Sequence, residues 1–436
     1  MEKKNKQTPV PVGRVSRFLE FSSMTLGITR NVISSATVEY FKGNKPNFKE
    51  LIQSDQNIRK FVESVSKMRG AALKIGQLIS LEGSDFLPEE AVNTLSLLRK
   101  DADIMPPKQL KSVLSNSIGD KFLKKFNYFD VNPIASASIG QVHFAETKKG
   151  KKIVIKIQYP GVKKSIKSDI SNLSLLLKTS KIVPPQIDLD KLMKSAQKQL
   201  EQETDYLRES NYQKKFIDLI RTEKKFKIPN IYDEFTTETS ISMDFIEGEP
   251  INYSKSKNQK IKNQIIYDLL YLFFKEIFDF NLMQTDPNFA NFYIEKNTDK
   301  IVLLDFGATT KINKDTSKKF LNLLKSILQK KSNQTKECLR DLKIIGNDDN
   351  AFSQAIVSTL YEITSPLRKN EEFDFNSLII QNSINEIKFL IENSKEKLTL
   401  PDFETLLIQR KIGGLFLLAK QFDAKLNLNS IFEKYI

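Results

Sequence analysis

The sequence predicts an α+β fold in two lobes with a helical extension ahead of them. Apolar residues recur at three- and four-residue steps through 47–100 and 188–222, and most of the chain beyond residue 250 reads the same way. Short β-branched runs bounded by turns lie between these stretches, in 134–158 and 231–245. A third observation concerns chemistry. Ile153-Val154-Ile155-Lys156, Glu203 to Glu209, Gln284 to Asn291 and Leu304-Asp305-Phe306-Gly307 follow one another in the order that a phosphoryl-transfer site requires.

Composition sets the limits. The chain has 436 residues, 40% hydrophobic and 28% charged, an ordinary globular balance with enough length for more than one lobe. Its 68 basic and 53 acidic residues leave a formal charge of +15. No groove-reading motif accompanies that charge, so nucleic acid is not an expected partner. A solvated lysine-rich surface accounts for it, as does attraction to an anionic membrane. Cys338 is the single cysteine and His143 the single histidine. That excludes a disulfide framework within the chain and a cysteine–histidine zinc site, and leaves little scope for a serine–histidine triad. His143 is expected to be structural. No run reaches the ~18 apolar residues of a spanning helix. Ile265 to Met283 contains Asp268, Lys275, Glu276 and Asp279, and reads as one buried helix. Gly413 to Ala419 is too short, and Met1 to Thr8 lacks the apolar core of a secretory signal. A soluble or peripheral protein of a reducing compartment is expected.

In chain order, residues 1–45 read as a basic arm followed by an amphipathic, membrane-facing segment. Residues 46–115 form the helical extension, with Gly76 inside Lys74-Ile75-Gly76-Gln77 weakening the helix by ~1 kcal/mol relative to alanine. Residues 116–247 make the first lobe: a small-residue loop at Ala135-Ser136-Ala137-Ser138, a hairpin over 143–158, one long helix over 188–222, and strands near 231–235 and 239–245. Ile246 to Pro250 is expected to act as a hinge, and 248–436 to form a helical second lobe.

Lys156 on its apolar strand suits contact with nucleotide phosphates, and the helical Glu209 suits pairing with it. Asp286 is placed to act as a base or orienting carboxylate. Asn291 and Asp305 offer the oxygen ligands that magnesium prefers. No Gly-x-Gly-x-x-Gly loop is present, and Ala135 to Ser138 stands in its place, with less backbone freedom than glycine. Met243 and Phe245, just before the expected hinge, complete the nucleotide-contacting candidates.

At this point the sequence resembles the UbiB-type family of atypical protein-kinase-like proteins, which support coenzyme Q biosynthesis. The resemblance is carried by Arg69 to Gln77, by the alanine-rich loop ending Ser138-Ile139-Gly140-Gln141-Val142-His143, and by Ile155 to Gly161. The Glu203-x-Asp205 pair, Gln284 to Asn288 and Leu304 to Thr309 complete it. Gln284 to Asn291 and Gln409 to Leu418 look most like the mitochondrial and alphaproteobacterial branch. The resemblance implies a two-lobed protein-kinase-like fold whose helical extension lies over the cleft. It implies that Lys74 pairs with Glu203 and Gln77 approaches the nucleotide, so that Lys74, Gln77, Glu203 and Asp205 form a regulatory set. ATP or ADP with Mg2+ are the implied cofactors. Membrane lipid or polyprenyl-phenol intermediates, the enzymes of coenzyme Q biosynthesis and a second copy of the chain are the implied partners. The implied place is the cytoplasmic face of a bacterial inner membrane, or the matrix side of the mitochondrial one, with peripheral attachment. Ser136 stands where the family usually has alanine. The expectation is therefore an ATPase of this kind. A true kinase, or a binding module that uses nucleotide as a structural ligand, are the alternatives.

Overall fold

The structure, a computed structural model, describes residues 104–137, 139–180, 189–347, 350–393 and 401–435. The segment expected to face a membrane, most of the expected helical extension, Lys74, Gln77 and Ser138 lie outside the described residues. The chain divides into two compact units, Met1–Asn211 with Asn230–Phe245, and Tyr212–Pro229 with Ile246–Ile436.

In the first unit, α1 (Pro107–Ile118) opens on a proline, whose missing N–H is no loss in a first turn, and stops at Gly119, where φ is +101°. The strands β1 (Phe126–Phe129), β2 (Ala135–Ser136), β3 (Gly140–Thr147) and β4 (Lys152–Gln158) follow. Next come α2 (Val162–Ser180), α3 (Leu189–Glu203) and α4 (Tyr206–Leu219), whose residues from Tyr212 on belong to the second unit. After β5 (Phe226–Lys227), which belongs to the second unit, β6 (Ser240–Asp244) returns to the first. The sheet runs β1-β3-β4-β6 with β2 also on β3, and every pairing is antiparallel. Strand alternation decides the layers: Ile153, Ile155 and Ile157 are wholly buried among Leu110, Leu114 and Leu200. Val154 and Lys156 take the other face.

Two sequence expectations change here. The single helix over 188–222 is broken at Thr204-Asp205. The Thr204 hydroxyl bonds back to the Glu201 carbonyl, and Asp205 accepts from the Arg208 N–H, which starts a new helix. The strand expected over 231–235 is reduced to a bridge from Ile231 to Met243, followed by a 3-10 turn at Asp233–Phe235. Side chains compete for the backbone there: Thr236 donates to the Tyr232 carbonyl and Ser240 to that of Phe235.

The second unit continues with β7 (Gly248–Pro250), α5 (Gln259–Phe278), β8 (Leu282–Gln284), β9 (Phe292–Glu295), β10 (Ile301–Leu303) and β11 (Thr309–Lys311). The helices α6 (Lys314–Leu328), α7 (Ser332–Asp341), α8 (Ala351–Ile363) and α9 (Ser365–Lys369) come next. The chain ends with β12 (Phe373–Asp374), α10 (Leu378–Asn393), α11 (Phe403–Gln421), β13 (Lys425–Leu426) and α12 (Asn429–Phe432). One sheet has the order β5-β10-β9-β7, and β8 pairs with β11. The residues read as a hinge thus include a strand, β7, paired with β9. The buried helix expected to reach Met283 ends at Phe278. Asn281 adopts φ +48° and its amide donates to the Ile277 carbonyl, which stops the helix and releases Leu282 into β8. Among the described residues, no helix is long and apolar enough to cross a membrane.

Candidate active site

In the first unit, Lys156 stands in β4 opposite Val142 of β3 and Ile241 of β6. Its Nζ donates to both carboxylate oxygens of Glu209, at 3.0 and 3.2 Å, and lies 5.1 Å from the centre of the Tyr206 ring. Glu209 is wholly buried, a position an ionised carboxylate holds only with such partners. The pairing depends on the break between α3 and α4. Gln158, at the end of β4, donates to the Thr204 carbonyl at 2.7 Å, and Asp205 caps α4 at 2.9 Å. The helix therefore starts beside the end of β4 and brings Glu209 to Lys156 within its first turn. Glu203, at the end of α3, is buried and accepts from the Gln199 amide at 2.9 Å.

Directly opposed residues share a face of a sheet. Ala135, Val142 and Lys156 form one row, and Phe144, Val154 and Met243 the next row on the same face. Three sequence candidates, Ala135, Lys156 and Met243, thus meet there. Val142 and Val154 join them, although the sequence reading left both unassigned. The signal was available for Val154, which precedes Lys156 by two positions in an alternating strand. Ser136 is opposite Gln141 and takes the other face, and the Ala137 N–H closes the turn onto the Gly140 carbonyl at 2.8 Å. Phe245 follows β6 and meets Phe144 edge-on at 5.2 Å.

The second unit brings Asp286, Asn291 and Asp305 onto two loops tied to each other. The Leu304 N–H donates to the Asn291 carbonyl at 3.0 Å, and the Thr285 hydroxyl to the Ala308 carbonyl at 2.6 Å. Phe306 is wholly buried, its ring 4.9 Å from that of Phe216, which anchors the loop carrying Asp305. Asp305 Oδ1 accepts from the Gly307 N–H at 2.9 Å. Asp286 is buried, and its Oδ1 accepts from the Asn288 N–H at 3.3 Å and from Arg410 at 3.4 Å. Beneath this loop, Lys411 of α11 pairs with Glu276 of α5, and Glu276 also accepts from the Gln284 N–H at 3.2 Å. Burial pushes the Glu276 carboxyl up and the Lys411 ammonium down, while each charge opposes the shift of the other. Arg410, Lys411 and Glu276 were not found from sequence. Nothing local shows that α11 returns to a loop 124 positions earlier.

The donor set of the second unit fits a hard cation. Asp305 offers carboxylate oxygens, and the neighbouring Asn291 amide has a buried nitrogen without a partner among the described residues. A turn of that amide would present its oxygen there instead. Two such ligands suffice for magnesium that arrives with phosphate oxygens.

A strand lysine held by a buried helical glutamate, with an Asp-Phe-Gly turn laced to an aspartate-bearing loop, defines a kinase-like protein. The solved structure of Rv3197 from Mycobacterium tuberculosis with erythromycin shares this fold, with a TM-score of 0.61 and 21% identity over 85% of this chain and 93% of that one. The description of the ABC1 atypical kinase-like domain matches residues 97–339. The chain is 37% identical to the atypical kinase COQ8, mitochondrial, of Saccharomyces cerevisiae, over 99% of this chain and 87% of that protein. It is 31% identical to COQ8B, mitochondrial, of Danio rerio, over 99% of this chain and 70% of that one. The chain belongs to the ABC1, or UbiB-type, family of atypical kinases. It is an atypical kinase-like enzyme with the two-lobed α+β fold of that class.

Proposed function

We propose that the protein binds magnesium-nucleotide and hydrolyses ATP in support of ubiquinone (coenzyme Q) biosynthesis at a membrane surface. The Lys156–Glu209 pair is the observation that carries this reading. A buried glutamate gripping a strand lysine through both oxygens fixes an ammonium where phosphates can meet it. Ala135, Val142, Val154 and Met243 supply an apolar face beside it. Asp305 and Asn291 would hold magnesium, which would offset the negative charge of the nucleotide phosphates. Asp286 orients the attacking water. Lys74 and Gln77 restrain the site, with Glu203 as counter-charge and Asp205 as the cap that sets Glu209.

The family and the relatives named COQ8 support the link to coenzyme Q. We assign residues 1–45 to the membrane surface, 46–115 to the extension, 116–247 apart from Tyr212–Pro229 to the small lobe, and 248–436 together with Tyr212–Pro229 to the helical lobe. Polyprenyl-phenol intermediates and their modifying enzymes are the proposed partners. The mitochondrial names of the relatives support a mitochondrial setting; we place the protein on the matrix side of the inner membrane, and the cytoplasmic face of a bacterial inner membrane is the equivalent surface.

Asp305→Ala and Asn291→Ala should abolish magnesium-dependent nucleotide use while leaving the protein folded. In cells lacking the gene, an Asp305→Ala copy should fail to restore quinone where the wild-type copy succeeds. Wild-type hydrolysis by either folded variant would remove the ligand role. Quinone restored by Asp305→Ala would remove the link between nucleotide turnover and quinone synthesis.

A further inference from the structure

We propose that Arg410 is a positioning residue for Asp286, so that a C-terminal helix completes the active site; this rests on Asp286 as the orienting carboxylate. Three points of α11 meet the loop or its support. Arg410 reaches Asp286 Oδ1 at 3.4 Å, and the two side chains are 7% and 9% exposed. Lys411 grips Glu276, which holds the Gln284 N–H at the entry to the loop. One turn further along, Gly414 faces Pro287, and a Cβ at that position would collide with the proline ring.

The two ion pairs do different things. Lys411–Glu276 is buried below the loop and bonds to it through the Gln284 backbone N–H, while Lys411 and Asp286 act on each other only through charge. Arg410 touches the carboxylate that the reaction uses. A buried aspartate needs a counter-charge, and a guanidinium offers two directions of approach in a rigid plane. Arg410 and the Asn288 N–H both meet Asp286 Oδ1, so two donors restrain one oxygen of the carboxylate. Loss of the guanidinium should let that carboxylate turn, which lowers turnover without weakening nucleotide binding.

The test uses the full chain and MgATP. In Arg410→Met, kcat should fall by about tenfold or more, the scale of a misplaced catalytic group, with KM for MgATP within about twofold. Arg410→Lys should recover much of the loss, because a cation is restored. Thermal melting without nucleotide gives a second readout. Arg410→Met should lower Tm, and adding Asp286→Asn should recover part of the fall, because an amide needs no counter-charge. Adding Glu276→Gln instead should give no such recovery. Unchanged kcat in Arg410→Met, a rise in kcat, or equal recovery with Glu276→Gln would overturn the proposal. A wild-type protein without MgATP turnover would remove the proposed function itself, and the positioning role with it.

Discussion

Gln141 dictates the protonation state of His143. The Gln141 amide oxygen accepts from the Met105 N–H, so its NH2 group must face His143 Nε2, at 3.1 Å. His143 Nε2 is therefore the acceptor, and Nδ1–H donates to the Asp130 carbonyl at 2.9 Å. A proton on Nε2 would set two donors against each other. Burial, opposed by the Asp130 carbonyl and charge, moves the imidazole below its ordinary value of 6.5. As pH falls, the unfolded chain takes up this proton first. Stability is retained above the unfolded value and lost as pH drops through it toward the lower folded one. The slope of Tm against pH between about 7 and 5 should be shallower in His143→Phe than in wild type, whatever the variant's stability at neutral pH. Equal slopes would show that His143 does not contribute. The sequence marked this histidine as structural from its place in an alternating strand. It could not reveal Gln141 and Met105 as the reason, because the Met105 contact depends on chain folding back across the sheet.

Among elements, α11 shows what two adjacent glycines do when only one is in contact. Nothing lies within 4 Å of a Cβ built on Gly413, whereas one on Gly414 meets Pro287. Gly413→Ala should therefore stabilise the protein by about 0.5–1 kcal/mol, the helix penalty removed. Gly414→Ala should destabilise it despite the same propensity gain, because the loop bearing Asp286 must shift, and MgATP turnover should fall with it. Denaturant melts of the two variants decide the matter; similar effects on stability would mean that α11 does not press on Pro287. The α3–α4 break teaches a related lesson. Apolar spacing runs on through Thr204 and Asp205, and a helix reading followed it. The side chains of those two residues end one helix and start another, and Gln158 from a distant strand holds the join. Turn chemistry was written at 204–205, but the spacing on either side masked it.

For the whole molecule, the formal charge of +15 is a property that the sequence carries openly. If residues 1–41 lie on an anionic bilayer, co-sedimentation with vesicles should rise with anionic lipid and fall with salt, since screening acts within ~10 Å at 0.1 M. Removing 1–41 should weaken it, and undiminished binding by the truncated protein would place the membrane surface elsewhere. The order of the motifs, the strand that carries Lys156, the turn at Asp305-Phe306-Gly307 and the α+β class were legible along the chain. Each rests on residues a few positions apart, where periodicity and turn chemistry act locally. The Lys156–Glu209 pairing, expected from the order of the motifs, is made by packing, and the Val142 and Val154 face and the return of Arg410 to Asp286 were settled by packing alone. Those contacts join residues that no local pattern relates, and burial selects which carboxylate each cation meets, because an unpaired charge inside the protein costs too much to persist.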